Sequence, residues 1–224
     1  MAETYLGNKG YSIYKNSISV KEQNFIRNEL NVKPYVPKSS INNAIEFPVY
    51  RESDQKLYVP RFFGENLYGK PSSTKIKPGL DISLNFTGKL MDFQIPIIDA
   101  YIKKAKSCGG GLLEVGCGCG KTVMALNIIS ILKKKTLVMV HKEFLLEQWV
   151  ERINQFLPNA RIGRIQGQII DTDDKDIVIG MIQSLSKKKY PQSVIDEFGL
   201  TIIDETHHIA AEVFSNSLFQ IVTT

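Results

Sequence analysis

The chain has 224 residues, 43% of them hydrophobic and 23% charged, a composition that is ordinary for a globular protein with a sizeable core and does not favour disorder. No apolar run approaches the roughly 20 residues of a transmembrane helix, and the N-terminus lacks a secretory apolar region, so an intracellular protein without a membrane span is expected. At roughly 150 residues per domain, the length predicts one full domain and a smaller module.

The formal net charge of +5 favours polyanion binding without establishing it, because many proteins are this basic and bind no nucleic acid. Lysine runs at 133–135 and 187–189 are expected at solvated helix ends rather than in a binding patch. The three cysteines lie close together in one glycine-rich stretch, which is a poor disulfide framework. They are expected to be reduced thiols.

Residues 1 to about 85 are rich in Tyr, Asn, Ser and Pro and contain short apolar runs, which predicts a small module of short strands. The turn-forming stretch 69–73, extending to Pro78-Gly79, is its predicted boundary. Its side chains could offer stacking and charge to nucleic acid, or form the core of the module. The candidates are Tyr50, Arg51, Tyr58, Arg61 and Phe62.

From about Leu90, helical patterns alternate with compact apolar runs, which predicts a parallel sheet covered by helices. The predicted helices span 121–134, which is apolar nearly all round, and 144–157, which has one apolar side. The predicted buried strands are 112–115, 136–140, 176–180 and 200–203.

The sequence Val-Gly-Cys-Gly-Cys-Gly-Lys-Thr at 115–122 follows the first of these strands and opens the first helix. Glycines let backbone amides approach phosphate oxygens, and the helix N-terminus favours anions. Lys121 can reach the β- and γ-phosphates of ATP, while the Thr122 hydroxyl can coordinate magnesium. The predicted nucleotide-binding residues are Gly116, Cys117, Gly118, Cys119, Gly120, Lys121 and Thr122.

This loop departs from the general P-loop pattern, because Val115 stands where glycine is usual. One alternative is an ordinary glycine-rich turn before a helix that begins with lysine. A metal site is disfavoured, because a closed zinc site needs four ligands and the histidines are few. They are His141, His207 and His208.

An apolar strand at 200–203 ends in Asp204 and Glu205. Asp204 would hold magnesium, and Glu205 would orient or deprotonate the water that attacks the γ-phosphate. Adjacent residues of a strand face opposite sides, so the two acids can converge only where the chain leaves the sheet. The alternative is a capping aspartate beside an exposed glutamate.

Gly-Lys-Thr at 120–122 and Asp-Glu-Thr-His at 204–207 resemble motifs I and II of superfamily 2 DExH-box helicases. The contexts 117–122 and 204–211 are most similar to the XPB-like branch, in particular to its large-DNA-virus members. The resemblance covers roughly residues 90–224. It implies a RecA-like P-loop lobe at 86–224, preceded at 1–85 by a mixed or β-rich accessory module associated with DNA.

Further site residues are implied by the same resemblance. Gln94, after Phe93, matches a motif that reads adenine, although it could simply cap a helix. His207 would couple the nucleotide site to the nucleic-acid site. Lys142 lies in a motif whose loop contacts the nucleic-acid backbone, whereas Trp149 is expected in the core.

Three more positions resemble strand-contacting motifs, and the alternative for them is ordinary loop turns. Backbone amides and hydroxyls there could hold a sugar-phosphate chain without reading bases. They are Gly167, Gln183 and Ser184.

The resemblance implies an ATP-dependent helicase that uses ATP and Mg²⁺. It favours DNA over RNA as the substrate. It also implies a role in transcription or repair, with transcription machinery as a partner. A complete motor has a second RecA-like lobe with an arginine finger, so little hydrolysis is expected of this chain alone. The alternative is an ATP-binding interaction module that unwinds nothing; a small-molecule kinase fits poorly. The expected location is cytoplasmic or nuclear, or a viral factory or virion.

Overall fold

The computed structural model describes residues 2–33 and 46–206, which fall into two units. Of the described residues, those up to Ile76 form the first unit, and Lys77–Thr206 form the second. This division falls within the stretch 69–79, so residues 77–85 belong to the second unit and not to the first, as the predicted bounds 1–85 and 86–224 have them.

The first unit is built on an antiparallel four-stranded sheet in the order β1-β2-β6-β5, with a separate two-stranded ladder of β3 and β4. The prediction of short strands is confirmed, and helices accompany them. The elements are β1 Thr4–Gly7, β2 Gly10–Tyr14, α1 Val20–Glu29, β3 Asn31–Val32, β4 Phe47–Pro48, β5 Arg51–Glu52, β6 Lys56–Val59 and α2 Arg61–Tyr68.

One face of this sheet forms the core of the first unit. Alternation along the strands sends Leu6, Tyr11 and Leu57 to the same side, where α1 adds Ile26. α1 begins with a capping box, since the Ser19 side chain accepts a hydrogen bond from the backbone of residue 22 and the residue 22 carboxylate accepts one from the Ser19 backbone. The hydrophobic core of the first unit therefore lies between one face of the sheet and α1.

The second unit contains a five-stranded sheet in the order β11-β7-β10-β8-β9, in which only β9 is antiparallel to its neighbour. The predicted parallel sheet with covering helices is confirmed. Its elements are α3 Gln94–Cys108, α4 Lys121–Leu132, β7 Thr136–Val140, α5 Glu143–Phe156, β8 Ile162–Gln166, β9 Ile169–Asp171, β10 Ile177–Met181, α6 Ile182–Lys187, α7 Gln192–Ile195 and β11 Leu200–Ile203.

The apolar character of α4 is explained by two clusters that it separates. Leu126 and Ile129 join the main core with β7, β10 and α5. Met124 and Ile128 pack instead against Ile98 of α3. Since α4 has apolar partners on both sides, it lacks the polar face of a surface helix.

The strand predicted at 112–115 is not formed. Leu112 is 70% exposed, while Leu113 and Val115 pack partly against the cluster around Ile98. Within the described residues no strand pairs with this segment, and a strand exists only through its hydrogen-bonded neighbour. The prediction of a buried strand at 112–115 is therefore wrong, and only Leu113 and Val115 are partly buried.

Among the described residues, no helix combines the length and apolar character needed to cross a bilayer.

Candidate nucleotide-binding site

Three parallel strands of the second unit end at one edge of the sheet. Met181 of β10 lies opposite Val140 of β7, and Ile203 of β11 lies opposite Met139. α4 ends just before β7 begins and packs on the same core, so its N-terminus, about 18 Å back along the helix, returns to this edge. The loop before α4 and the residues after β11 therefore lie at the edge where α/β sheets bind ligands.

The loop before α4 is curled by two glycines in the left-handed region, Gly118 at φ 77° and Gly120 at φ 78°. The Lys121 ammonium donates to the carbonyl oxygen of Val115 at 3.3 Å, so it reaches back across the loop. The first position of the loop contributes its backbone carbonyl here, a group that valine supplies as well as glycine. The departure at Val115 is therefore compatible with a P-loop.

Gln94 ties this loop to the start of α3. It is 2% exposed, its Oε1 accepts from the Met91 amide at 2.9 Å, and its Nε2 donates to the carbonyl oxygen of Cys119 at 2.9 Å. A Cβ on Gly120 would lie 2.6 Å from this Nε2 and would push the Gln94 amide away from the loop, while the φ of 78° itself favours glycine. Gln94 thus holds the loop in its curled form; its contact with adenine stays a prediction.

The two acids lie where the chain leaves β11. The Asp204 amide donates to the carbonyl oxygen of Met139 at 3.1 Å, and Glu205 follows in the left-handed region at φ 56°. That conformation is uncommon for a residue with a side chain and lets the chain turn sharply. Asp204 and Glu205 are both partly exposed, as residues that meet a ligand must be.

Asp204 is held in place by Trp149 of α5. Its Oδ2 accepts from the indole Nε1 at 2.9 Å, and its Oδ1 accepts from the Glu205 amide at 3.0 Å. Trp149 is 2% exposed, which confirms the prediction that it lies in the core. Its contact with Asp204 was not predicted, although a buried indole N–H needs an acceptor and thereby signals a polar partner.

The available oxygens suit magnesium. Mg²⁺ is usually bound by one or two protein carboxylates or hydroxyls together with substrate phosphates and water. Each Asp204 oxygen accepts one hydrogen bond and keeps a lone pair, and Thr122 is the second residue of α4. In the part of the chain that the structure describes, no cluster of three or more His, Cys, Asp or Glu could hold a metal by itself. Thr122 and Asp204 therefore suit a magnesium ion whose other ligands are phosphate oxygens and water.

The residues predicted to contact nucleic acid lie together beyond β7, β8 and β10. Ser184 Oγ accepts from the Gly167 amide at 2.9 Å, and Gln183 Nε2 donates to the His141 carbonyl at 2.8 Å. Lys142, next along the chain, is exposed, with its ammonium 5.8 Å from the centroid of the Phe144 ring. The structure brings these residues to one edge; their phosphate contacts stay predictions. His207 lies outside the described residues.

The aromatic and basic candidates of the first unit have different environments. Tyr50 packs against the core, and Tyr58 is 9% exposed. Arg61 is paired with Glu65 at 2.9 Å, and its guanidinium lies 5.8 Å from the ring of Phe62. Arg61 and Phe62 lie on α2 and not in the sheet. Arg51 lies opposite Tyr58 in the sheet.

A curled glycine loop at a helix N-terminus, with two acids at the end of a parallel strand on the same edge, defines a P-loop nucleotide-binding lobe. Residues 87–223 match the family model described as the res subunit of type III restriction enzymes. The chain belongs to this family.

Several proteins similar to this chain are named as helicases or translocases. Over 215 residues the chain is 35% identical to "Putative ATP-dependent RNA helicase L396" of Acanthamoeba polyphaga mimivirus, covering 92% of this chain and 40% of that protein. It is 33% identical over 127 residues to "DNA 3'-5' translocase XPB2" of Sulfurisphaera tokodaii, covering 57% of this chain and 27% of that protein. The chain thus spans two-fifths or less of the length of these relatives.

Among solved structures, the chain is similar to "Sulfolobus solfataricus SWI2/SNF2 ATPase core in complex with dsDNA". The TM-score is 0.45 at 17% identity, over 61% of this chain and 36% of that one. At that TM-score the likeness adds nothing to the family assignment.

Proposed function

We propose that this chain is the ATP-binding lobe of a nucleic-acid helicase or translocase, with DNA as its track. The observation that carries the proposal is the position of Lys121 and Asp204 at one edge of the sheet, each held by a hydrogen bond. The names of the relatives support a motor function. They differ on RNA against DNA, and the XPB-like motif contexts favour DNA.

In this proposal the loop amides and Lys121 bind the triphosphate. Lys121 exchanges the Val115 carbonyl for phosphate oxygens, a stronger, charge-assisted partner. Thr122 and Asp204 would hold Mg²⁺, which when bound offsets the charge of the phosphates. Glu205 orients the attacking water and accepts its proton.

In this proposal the nucleic acid binds at the edge of the sheet beyond β7, β8 and β10. Lys142 attracts the sugar-phosphate backbone, and Ser184 keeps the Gly167 turn in shape. Because these residues follow strands that pair with one another, movement at the nucleotide site has a short path to them.

The test is the slow hydrolysis of bound ATP by residues 1–224, measured under single-turnover conditions because little hydrolysis is expected of this chain alone. It is measured with single-stranded DNA or RNA of one sequence and compared with the Glu205→Gln variant. We expect DNA to raise the rate more than RNA does. Glu205→Gln should bind ATP as tightly as the parent and lose at least about tenfold in rate, since it loses the proton acceptor. The Lys103→Ala variant, altered at an exposed lysine of α3, is the control.

Two results would contradict the proposal. Equal rates with and without nucleic acid would favour the alternative, an ATP-binding interaction module. Full activity of Glu205→Gln would remove Glu205 from the chemistry.

A further inference from the structure

The outer face of the first unit's sheet carries a row of side chains that the core does not use. The register places Tyr5 opposite Ser12, Ser12 opposite Tyr58, and Tyr58 opposite Arg51, so one line crosses all four strands. Tyr14 lies on the same face, opposite Lys56. Three tyrosines from three strands therefore share this face. Tyr5 and Tyr14 are partly exposed, whereas Tyr58 and Ser12 are buried.

Three lysines lie over these rings. The Lys56 ammonium is 5.1 Å from the centroid of the Tyr5 ring and 4.5 Å from that of Tyr14. Lys75 is 4.3 Å from the Tyr5 centroid, and Lys9 is 4.9 Å from the Tyr58 centroid. We call the set Tyr5, Tyr14, Tyr58, Lys9, Lys56 and Lys75 the tyrosine–lysine face.

These three cations have no acidic partner among residues 2–33 and 46–206, where no carboxylate lies within 4.0 Å of them. The contrast with nearby cations is clear, because Lys15 and Arg27 both pair with Glu52. An exposed cation–π contact contributes only about 0.5–1 kcal/mol and leaves the positive charge in place. Among the described residues, the face therefore carries positive charge that no carboxylate pairs with.

Tyr5 responds to the charge of the neighbouring lysines. Burial raises the pKa of Tyr5, but hydrogen bonds with Ser12 and Lys56 and the charges of Lys56 and Lys75 outweigh burial, and the net pKa lies below its ordinary value. The Lys56 ammonium lies 3.3 Å from the Tyr5 hydroxyl. An anion arriving here would meet ammonium groups arranged around flat aromatic surface.

We propose that the tyrosine–lysine face binds single-stranded nucleic acid, with its lysines on the phosphates and the partly exposed rings of Tyr5 and Tyr14 against the bases. Aromatic rings on a basic surface suit unpaired bases, which present a free π-face, whereas the bases of a duplex are already stacked. An acidic peptide would use the charges and leave the rings without a role. This site lies in the first unit and needs no nucleotide, so it is independent of the function proposed above.

The test is the affinity of residues 1–224 for a fluorescent oligothymidine of about 16 nucleotides, measured by anisotropy without nucleotide across a salt series. Lys9→Gln/Lys56→Gln/Lys75→Gln should bind about tenfold or more weakly, and its log-log salt slope should shrink by about two, at about 0.7 per lost phosphate contact. The control Lys21→Gln/Lys33→Gln/Lys70→Gln removes the same charge from exposed lysines of the same unit.

The rings are tested separately with Tyr5→Leu and Tyr5→Phe. We expect Tyr5→Leu to weaken binding severalfold, because base stacking contributes about 1–3 kcal/mol, and Tyr5→Phe to bind nearly as tightly as the parent. Thermal unfolding checks the fold; if the triple variant unfolds, Lys9→Gln alone carries the charge test.

The proposal is overturned if the two triple variants lose affinity equally, or if Tyr5→Leu binds like the parent. It is also overturned if polyglutamate displaces the oligonucleotide at equal charge concentration. Lys121→Ala should bind the oligonucleotide like the parent here, so failure of the nucleotide site and failure of this face give different results.

Discussion

Gln94 could shape the phosphate-binding loop or contact adenine, and its hydrogen bonds help to distinguish these two roles. Both ends of its side-chain amide are engaged with backbone, at Met91 and at Cys119, so it shapes the phosphate-binding loop. A residue that acts on the loop affects every ligand with phosphates, whereas a residue that reads adenine affects only adenine nucleotides.

Gln94→Leu should therefore weaken the binding of ATP and of inorganic tripolyphosphate by similar factors, about tenfold for the loss of a buried hydrogen-bonded clamp. Competition against a fluorescent nucleotide measures both affinities. A loss confined to ATP, with tripolyphosphate unaffected, would instead assign Gln94 to the base.

Trp149 is the single tryptophan of the chain and donates to Asp204. Its fluorescence should therefore change when ATP and Mg²⁺ bind to the parent, because the indole N–H contacts a predicted metal ligand. In Asp204→Asn the amide can still accept this hydrogen bond, yet it binds Mg²⁺ poorly. The change should then need severalfold more Mg²⁺, in a titration at fixed ATP; an identical Mg²⁺ dependence would separate Asp204 from the metal.

At the residue scale, local motifs could be predicted from the sequence and distant contacts could not. Lys121 and Thr122 follow from glycine spacing, because their neighbours in the chain are their neighbours in space. The Gln94–Cys119 contact joins residues 25 apart and the Trp149–Asp204 contact joins residues 55 apart. Such pairs depend on which strands are adjacent.

At the element scale, strands that are buried on both faces of the sheet could be predicted from the sequence. β7 and β11 have the predicted bounds, and β10 is shifted by one residue, because their continuous apolar runs fit buried parallel strands. The run at 112–115 is also largely apolar, although Glu114 interrupts it, and it has no hydrogen-bonded partner in the described residues. Composition indicates burial, whereas pairing depends on another segment.

The loop that precedes β10 also depends on a distant pairing, between Asp176 and Arg161. The Asp176 carboxylate accepts from the Arg161 amide at 2.9 Å and from its guanidinium at 3.0 and 2.8 Å. Burial raises the pKa of Asp176, but these hydrogen bonds and the Arg161 charge outweigh burial and lower it.

A folded-state pKa below the unfolded value stabilises the protein above the unfolded pKa, and this stability is lost as pH falls through the folded pKa. Asp176→Asn should therefore lower the free energy of unfolding at pH 7 by about 2 kcal/mol and flatten its decline in acid. Urea unfolding across pH measures both effects. Asp173→Asn, an exposed change in the same loop, should have little effect; equal effects would rule out a special role for the Asp176 pair.

At the scale of the whole molecule, the described residues fall into two units that divide after Ile76, within the turn-forming stretch 69–79 and before the predicted bound at residue 85. The first unit offers a basic aromatic sheet face, and the second offers a phosphate-binding loop beside two acids. Each has a separate test, so the two can succeed or fail independently.

The central claim is that Lys121 and Asp204 serve one nucleotide site. Calorimetric titration of residues 1–224 with ATP and Mg²⁺ tests it most directly, on the parent, Lys121→Ala, Asp204→Ala and the control Lys103→Ala. We predict that Lys121→Ala and Asp204→Ala each weaken binding by about tenfold or more, a loss of ~1.4 kcal/mol at least, while Lys103→Ala binds like the parent. Unchanged binding by Lys121→Ala, or binding that depends on Lys121 and ignores Asp204, would contradict a shared site.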